Sequence, residues 1–351
     1  MEETSPAATP QQLNIEAVVK DILGTIERER EREIIARRFG LFDRKETLEQ
    51  IGELLGITRE RVRQLEKAVV AKLKAAENNL PHMSEISQTL THFIKDLGNA
   101  SKISDLTAKL TKDNSKIDQA RVAFLAKLTP ELAVVDEDDN HYLGAGLLEH
   151  HDEKAMKGHI AELVKTIKEH GEPTDSKTIH AKYNSKLSHE DHVAGLASLS
   201  KQLSTLNGLW GLTKWPTVNP KNIRDKIYLI LQEDGKPMHF SEISKAIKSS
   251  DFKRKDVTTQ AIHNELIKDK RFVLIGRGIY ALSEWGYNKG TVADVITKIL
   301  RKNGEPMHRD EIIKQVLKQR QVKETTILLN LQGKPQFKRV AKATYTLAEK
   351  A

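Results

Sequence analysis

The sequence predicts a mainly α-helical protein: an N-terminal helix-turn-helix followed by tandem winged-helix domains with small β-hairpin wings. Three observations carry this expectation. Residues 47–73, TLEQIGELLGITRERVRQLEKAVVAKL, hold two amphipathic helical stripes separated by Gly56. A unit opening on GKPMH at Gly235 and GEPMH at Gly304 recurs, and its copies close on two short apolar runs around a tight turn. The chain is 30% charged and 5% aromatic, which suits small helical modules better than a large β fold.

Met1–Gln12, rich in Pro, Ala and Thr, reads as a disordered lead. Thr47, with Gln50 three residues on, is placed to open a helix as a capping box, with Leu48, Ile51 and Leu55 facing inward. Gly56 breaks that helix, Ile57 plugs the turn, and Thr58 caps a second helix whose inner face is Val62, Leu65, Val69 and Leu73. Arg59, Glu60, Arg61, Arg63, Gln64 and Lys67 lie on its polar side, near the end that a recognition helix pushes into the major groove. Arg can fork onto guanine, Gln onto adenine, and Glu can accept from cytosine, while Lys67 and Lys72 suit phosphate. A solvated helix face would carry similar charges; the caps and the turn favour the reading helix.

The segment TRERVRQLE resembles region 4 of bacterial sigma-70 family factors. The resemblance extends upstream through ILGTIERERERE and IIARRFGLFDRKETLEQIG and covers about residues 13–76. It implies base contacts at Arg59, Glu60, Arg63 and Gln64, and backbone or partner-protein contacts at Arg61 and Lys67; Lys72, which suits phosphate, is grouped with them as a backbone or polymerase contact. It also implies docking on the beta flap of RNA polymerase. A full sigma factor needs an earlier domain that melts the minus-10 element, and only a short tail precedes this module, so minus-35-type promoter recognition without melting is expected.

The recurring unit starts at Gly98, Gly171, Gly235 and Gly304, a spacing of roughly 65 to 73 residues that suits a small three-helix domain. RFVLIGRGIYAL, residues 271–282, shows the closing hairpin best, and Trp210, Tyr280 and Tyr345 hold matching places in the second strand. The resulting domains are a tail at 1–12, the helix-turn-helix at 13–78, and winged units at 84–148, 157–215, 221–286 and 291–350. Glu149–Lys157 reads as a polar linker, and Trp215–Asn222, with Pro216 and Pro220, as the strongest break. Such short connections predict a loosely packed string of domains. The last two units resemble HARE-HTH domains, the winged-helix module of the RNA polymerase delta subunit, on GKPMH and GEPMH, the following helix and IGRGIYAL.

Charge separates the units. Residues 287–351 carry 14 Lys and Arg against 6 Asp and Glu, residues 217–286 carry 13 against 9, and residues 81–216 carry 16 against 19. The last two units are therefore the expected sites of secondary DNA contact, through Lys253, Arg254, Lys255, Arg277, Lys338, Arg339 and Lys342. The first two suit protein contacts. With no cysteine, thiol chemistry and disulfides are excluded. His239 and His308 lack ligand partners at metal spacing and read as capping or packed residues, and His150 and His151 lie in a linker. No nucleotide-loop, zinc-protease or nucleophile-elbow motif is present. The expectation is a cytoplasmic, nucleoid-associated, non-enzymatic protein with duplex DNA and RNA polymerase as partners, and with no cofactor, metal, membrane or small-molecule substrate. The alternative is a polymerase-associated scaffold or an architectural DNA binder without sequence preference.

Overall fold

The computed structural model describes residues 14–149, 152–183, 187–287 and 290–348. The expected tail at 1–12 and the pair His150–His151 lie outside the described residues. The chain divides at Lys214/Trp215 into two compact units, close to the break read from Pro216 and Pro220.

The first unit opens with four helices, α1 (Ile15–Gly24), α2 (Glu29–Phe39), α3 (Leu48–Leu55) and α4 (Arg59–Ala75). Thr47 forms the capping box with Gln50, Gly56 ends α3 in the left-handed region at φ 63°, and the Thr58 side chain caps α4. Ile34, Ile51 and Val62 are fully buried where α2, α3 and α4 meet, with Leu48, Leu55, Ile57 and Leu65 around them. This is a helix-turn-helix.

Next come α5 (Met83–Asp96), β1 (Ala100–Lys102), α6 (Ile103–Leu110), α7 (Lys116–Leu128), β2 (Leu132–Val135) and β3 (Gly144–Leu147). The strands form an antiparallel sheet in the order β1-β3-β2, with Ala100 opposite Gly146 and Leu132 opposite Leu147. The same order of elements follows in α8 (Glu153–His170), α9 (Ser176–Lys182), α10 (Glu190–Ser198), β4 (Leu203–Leu206) and β5 (Leu209–Leu212). There a single bridge between Thr174 and Trp210 stands where β1 would. The helix α8 starts at Glu153, capped by Asp152, so this segment begins before residue 157 and cuts into the expected linker.

The second unit repeats the pattern twice. Its elements are α11 (Ile223–Asp234), β6 (Met238–His239), α12 (Phe240–Ser249), α13 (Thr259–Lys268), β7 (Phe272–Gly276) and β8 (Ile279–Leu282), then α14 (Val292–Asn303), β9 (Met307–His308), α15 (Arg309–Leu317), α16 (Glu324–Gly333), β10 (Phe337–Ala341) and β11 (Thr344–Leu347). The sheets run β6-β8-β7 and β10-β11-β9, with Met238 opposite Tyr280 and Met307 opposite Tyr345. His239 and His308 cap α12 and α15 through their rings. Gly278, at φ 72°, sits where a Cβ would come within 2.5 Å of the His239 ring, so the turn and the cap require each other.

The expectation of loosely packed domains fails within the first unit. One apolar core runs from Ile15, Val19, Ile22 and Leu41 through Val69 and Leu73 to Leu90, Phe124, Leu125 and Leu147. Phe39 meets Phe124 edge-on at 5.1 Å between centroids. Buried Arg121 of α7 donates to the Leu41 carbonyl at 2.8 Å and pairs with Glu16 at 2.8 Å and Asp118 at 3.0 Å.

Candidate nucleic-acid interface

Thr58 accepts from the Arg61 backbone N–H, which fixes the first turn of α4. With about 3.6 residues per turn, Arg59, Glu60, Arg63, Gln64 and Lys67 then share one side of the helix, away from Val62, Val69 and Leu73. Arg59, Glu60, Arg63, Gln64 and Lys67 are all exposed along α4, the first four of them in its first two turns. Glu60 is the hub of this face. It takes two hydrogen bonds from Arg63, at 2.8 and 2.6 Å, and one from Gln64 at 3.5 Å. The Arg63 guanidinium holds the Glu60 carboxyl below the usual range, and Glu60 in turn raises Arg63. Arg61 is exposed at the edge of this face, where its guanidinium donates to the Gln64 side-chain oxygen at 3.4 Å, whereas Lys72, also exposed, lines a cleft with Thr25, Ile26 and Glu31.

The third helices of the first two repeats, the units expected to suit protein contacts, pack within the chain. The helix α7 buries Arg121, Val122, Phe124, Leu125, Ala126 and Leu128 against the helix-turn-helix and its own sheet. The helix α10 lies against the turn before β1 so closely that a Cβ on Gly195 would come within 2.5 Å of the Gly98 carbonyl. The acidic turn at 136–140 is engaged as well. Lys201 pairs with Glu137 at 2.8 Å and donates to the Asp138 carbonyl at 2.7 Å, and Lys157 pairs with Asp138 at 3.5 Å. In the second unit α13 buries only Ile262 and Leu266, and α16 only Ile327 and Leu331.

Lys253, Arg254 and Lys255 are exposed before α13, Arg277 is exposed in the β7–β8 turn, and Lys338, Arg339 and Lys342 are exposed on the β10–β11 hairpin. Gln260 and Asn264 face solvent, whereas His263 is half-buried between Phe240 and Tyr280. The outer face of α16 carries Glu324, Thr325, Thr326, Leu329 and Gln332, so the candidate contact residues Lys338, Arg339 and Lys342 lie on the hairpin of the last repeat and not on its third helix.

Three buried cations among the described residues give no signal in the sequence. Besides Arg121, Lys226 donates to the Lys253 and Arg254 carbonyls at 2.8 and 2.7 Å, holding the loop in which Arg254 adopts φ 55°. Burial, and then Arg254, push its ammonium down from the ordinary lysine range. Arg320 is 5% exposed and donates to the Leu274 and Gly290 carbonyls, while the Gln321 N–H donates to Ile275. It thus ties the fourth repeat to the third. A stretch rich in surface Lys and Arg gives no sign of which one turns inward. Among the described residues no group of three or more His, Asp and Glu is arranged to hold a metal, and no helix is long and apolar enough to cross a membrane.

Residues 28–75 match the family described as Sigma-70, region 4. The chain is 48% identical over 62 residues to the RNA polymerase sigma factor sigB of Arabidopsis thaliana, covering 17% of this chain and 10% of that protein. It is 48% identical over 63 residues to the RNA polymerase principal sigma factor HrdC of Streptomyces coelicolor, 18% of each chain. With the RNA polymerase sigma factor SigA of a Bacillus species it shares 46% over 57 residues, 16% of this chain and 15% of that one. The chain thus spans a tenth to a fifth of the length of these relatives, and the family match falls on the helix-turn-helix.

Proposed function

We propose that the protein binds duplex DNA at a minus-35-type promoter element and associates with RNA polymerase, without melting the promoter. The observation that carries this reading is the open face of α4, with Arg59, Glu60, Arg63 and Gln64 on one side of a capped reading helix. Similarity to sigma region 4 over that segment supports it. On the same reading Arg61, Lys67 and Lys72 meet DNA backbone or polymerase, whose beta flap is the proposed docking point. The four following repeats are read as winged helices, the last two of HARE type. Their element order, helix, strand, helix, helix and hairpin, supports this, as does the sheet order shared by three of them. The last two add sequence-independent contacts through Lys253, Arg254, Lys255, Arg277, Lys338, Arg339 and Lys342. Burial of α7 and α10 favours protein contacts for the first two. Nothing in this reading calls for catalysis or a cofactor, and it places the protein at the nucleoid in the cytoplasm.

A second reading, architectural coating of DNA without a preferred site, is favoured by the exposed cations of the β10–β11 hairpin. Selection of random duplex DNA separates the two. Promoter reading requires an enriched motif from the full-length protein that is lost on Arg63→Ala with Gln64→Ala. Each base-reading side chain removed is expected to cost about 1–3 kcal/mol of discrimination. Binding without a motif in either protein would leave the architectural reading.

A further inference from the structure

We propose that the first repeat supplies Lys127 to the DNA-facing surface of the helix-turn-helix, forming with Lys67 and Lys74 a groove for the phosphate backbone beside the bases read by α4. This rests on the DNA-binding reading above and adds a footprint that a helix-turn-helix alone would lack.

The groove has a volume of about 460 Å³ and is lined by Arg38, Arg63, Lys67, Lys74 and Lys127 around Leu48, Val70 and Ala71. Arg63, Lys67 and Lys74 follow one another along α4 over about 16 Å at 1.5 Å per residue. That length matches several phosphates of one strand at about 3.4 Å each. Lys127, in the last turn of α7, faces them from the other side, its ammonium 5.7 Å from the centre of the Phe39 ring.

The charge balance favours an anion. Glu66, the carboxylate in the lining, is tied to Arg38 at 3.0 Å, and Glu60 is tied to Arg63 at 2.6 Å. No described carboxylate lies within ion-pair distance of Lys67, Lys74 or Lys127. Three cations are therefore left uncompensated along a surface that begins at a candidate base contact. The floor of Leu48, Val70 and Ala71 suits the apolar edge of deoxyribose. An acidic protein helix would meet the same charges, but continuity with Arg63 places the groove in line with DNA already held at the N-terminal end of α4. The position also explains how an acidic repeat with a buried third helix can still face DNA: it lends one residue, held by the packing of α7.

The test is the salt dependence of binding by full-length protein to a selected duplex and to an unrelated one. Lys127→Ala and Lys74→Ala are each expected to weaken both by a similar factor, about three- to tenfold at about 0.15 M salt. The slope of log K against log salt should fall by about 0.9 for each phosphate no longer neutralised, with site preference unchanged. Lys127→Arg should restore binding. Lys74 is exposed, so its variant reports on the groove even if loss of Lys127 loosens the packing over Phe39. If the wild type binds DNA and both alanine variants keep its affinity and slope, the groove does not hold phosphate. Loss of polymerase copurification in those variants with DNA binding intact would assign it to a protein and overturn the proposal. Failure of the wild type to bind DNA would defeat the underlying reading itself.

Discussion

Glu60 and Arg63 illustrate how one exposed ion pair can matter for recognition while adding little to stability. Both are more than half exposed, so their attraction is screened by water and contributes little to folding. In the proposed complex the carboxylate would neutralise the cation and repel phosphate, penalising unread sequences more than a site offering Glu60 a cytosine donor. Glu60→Ala is therefore expected to strengthen binding to unrelated duplex and lower the ratio of selected to unselected affinity. Competition binding at fixed salt measures both, and an unchanged ratio would remove Glu60 from the reading face. These residue types and their spacing were legible in the sequence. Their mutual hydrogen bonds were not, because Arg63 at i+3 can turn to Glu60 or to solvent without any change of pattern.

Among the elements, the turn between α3 and α4 hides its tightest requirement at Gly52. Gly56 announces itself as a helix stop, but Gly52 lies inside α3, where glycine is otherwise a cost. A Cβ there would stand 2.7 Å from the Ile57 carbonyl oxygen, a backbone atom that cannot swing aside. Gly52→Ala is expected to destabilise the module by about 1–3 kcal/mol through this overpacking, seen as a lower urea midpoint. The acidic turn at 136–140 shows the opposite limit of sequence reading. Its charges were plain, yet their partners Lys157 and Lys201 belong to the next repeat. The Asn140 backbone N–H, with the His141 ring and N–H, holds the Asp138 carboxyl far below the usual carboxylate range. A depressed folded pKa stabilises the protein fully above the unfolded value of about 3.9 and loses that contribution as pH falls further. Asp138→Asn should therefore flatten the stability curve below about pH 4, measured as the urea midpoint between neutrality and acid.

For the whole molecule, the helix-turn-helix and the repeats were visible because caps, periodicity and the Pro-Met-His openings are local signals. The continuous core of the first unit was not, because α7 reads as an ordinary amphipathic helix until it meets α1 and α2. Arg121 is the polar element of that joint, tying α7 to Leu41 and Glu16 on the helix-turn-helix. Arg121→Met strands the Leu41 carbonyl and separates two carboxylates from their cation, at an expected cost of about 1–3 kcal/mol. Urea unfolding followed at the helix-turn-helix and at the first repeat should remain coincident in the wild type, since the two share a core. Two separate transitions would show that they fold independently.

That joint also has a genetic consequence. Because Phe39 and Leu41 at the end of α2 and Glu16 of α1 rest on Phe124 and Arg121, the residues proposed to recognise DNA and those that support them are far apart in the gene. A screen for loss of DNA binding in living cells should return substitutions at Phe124 and Arg121 as readily as at Arg63, and second-site suppressors of either class should arise in the other.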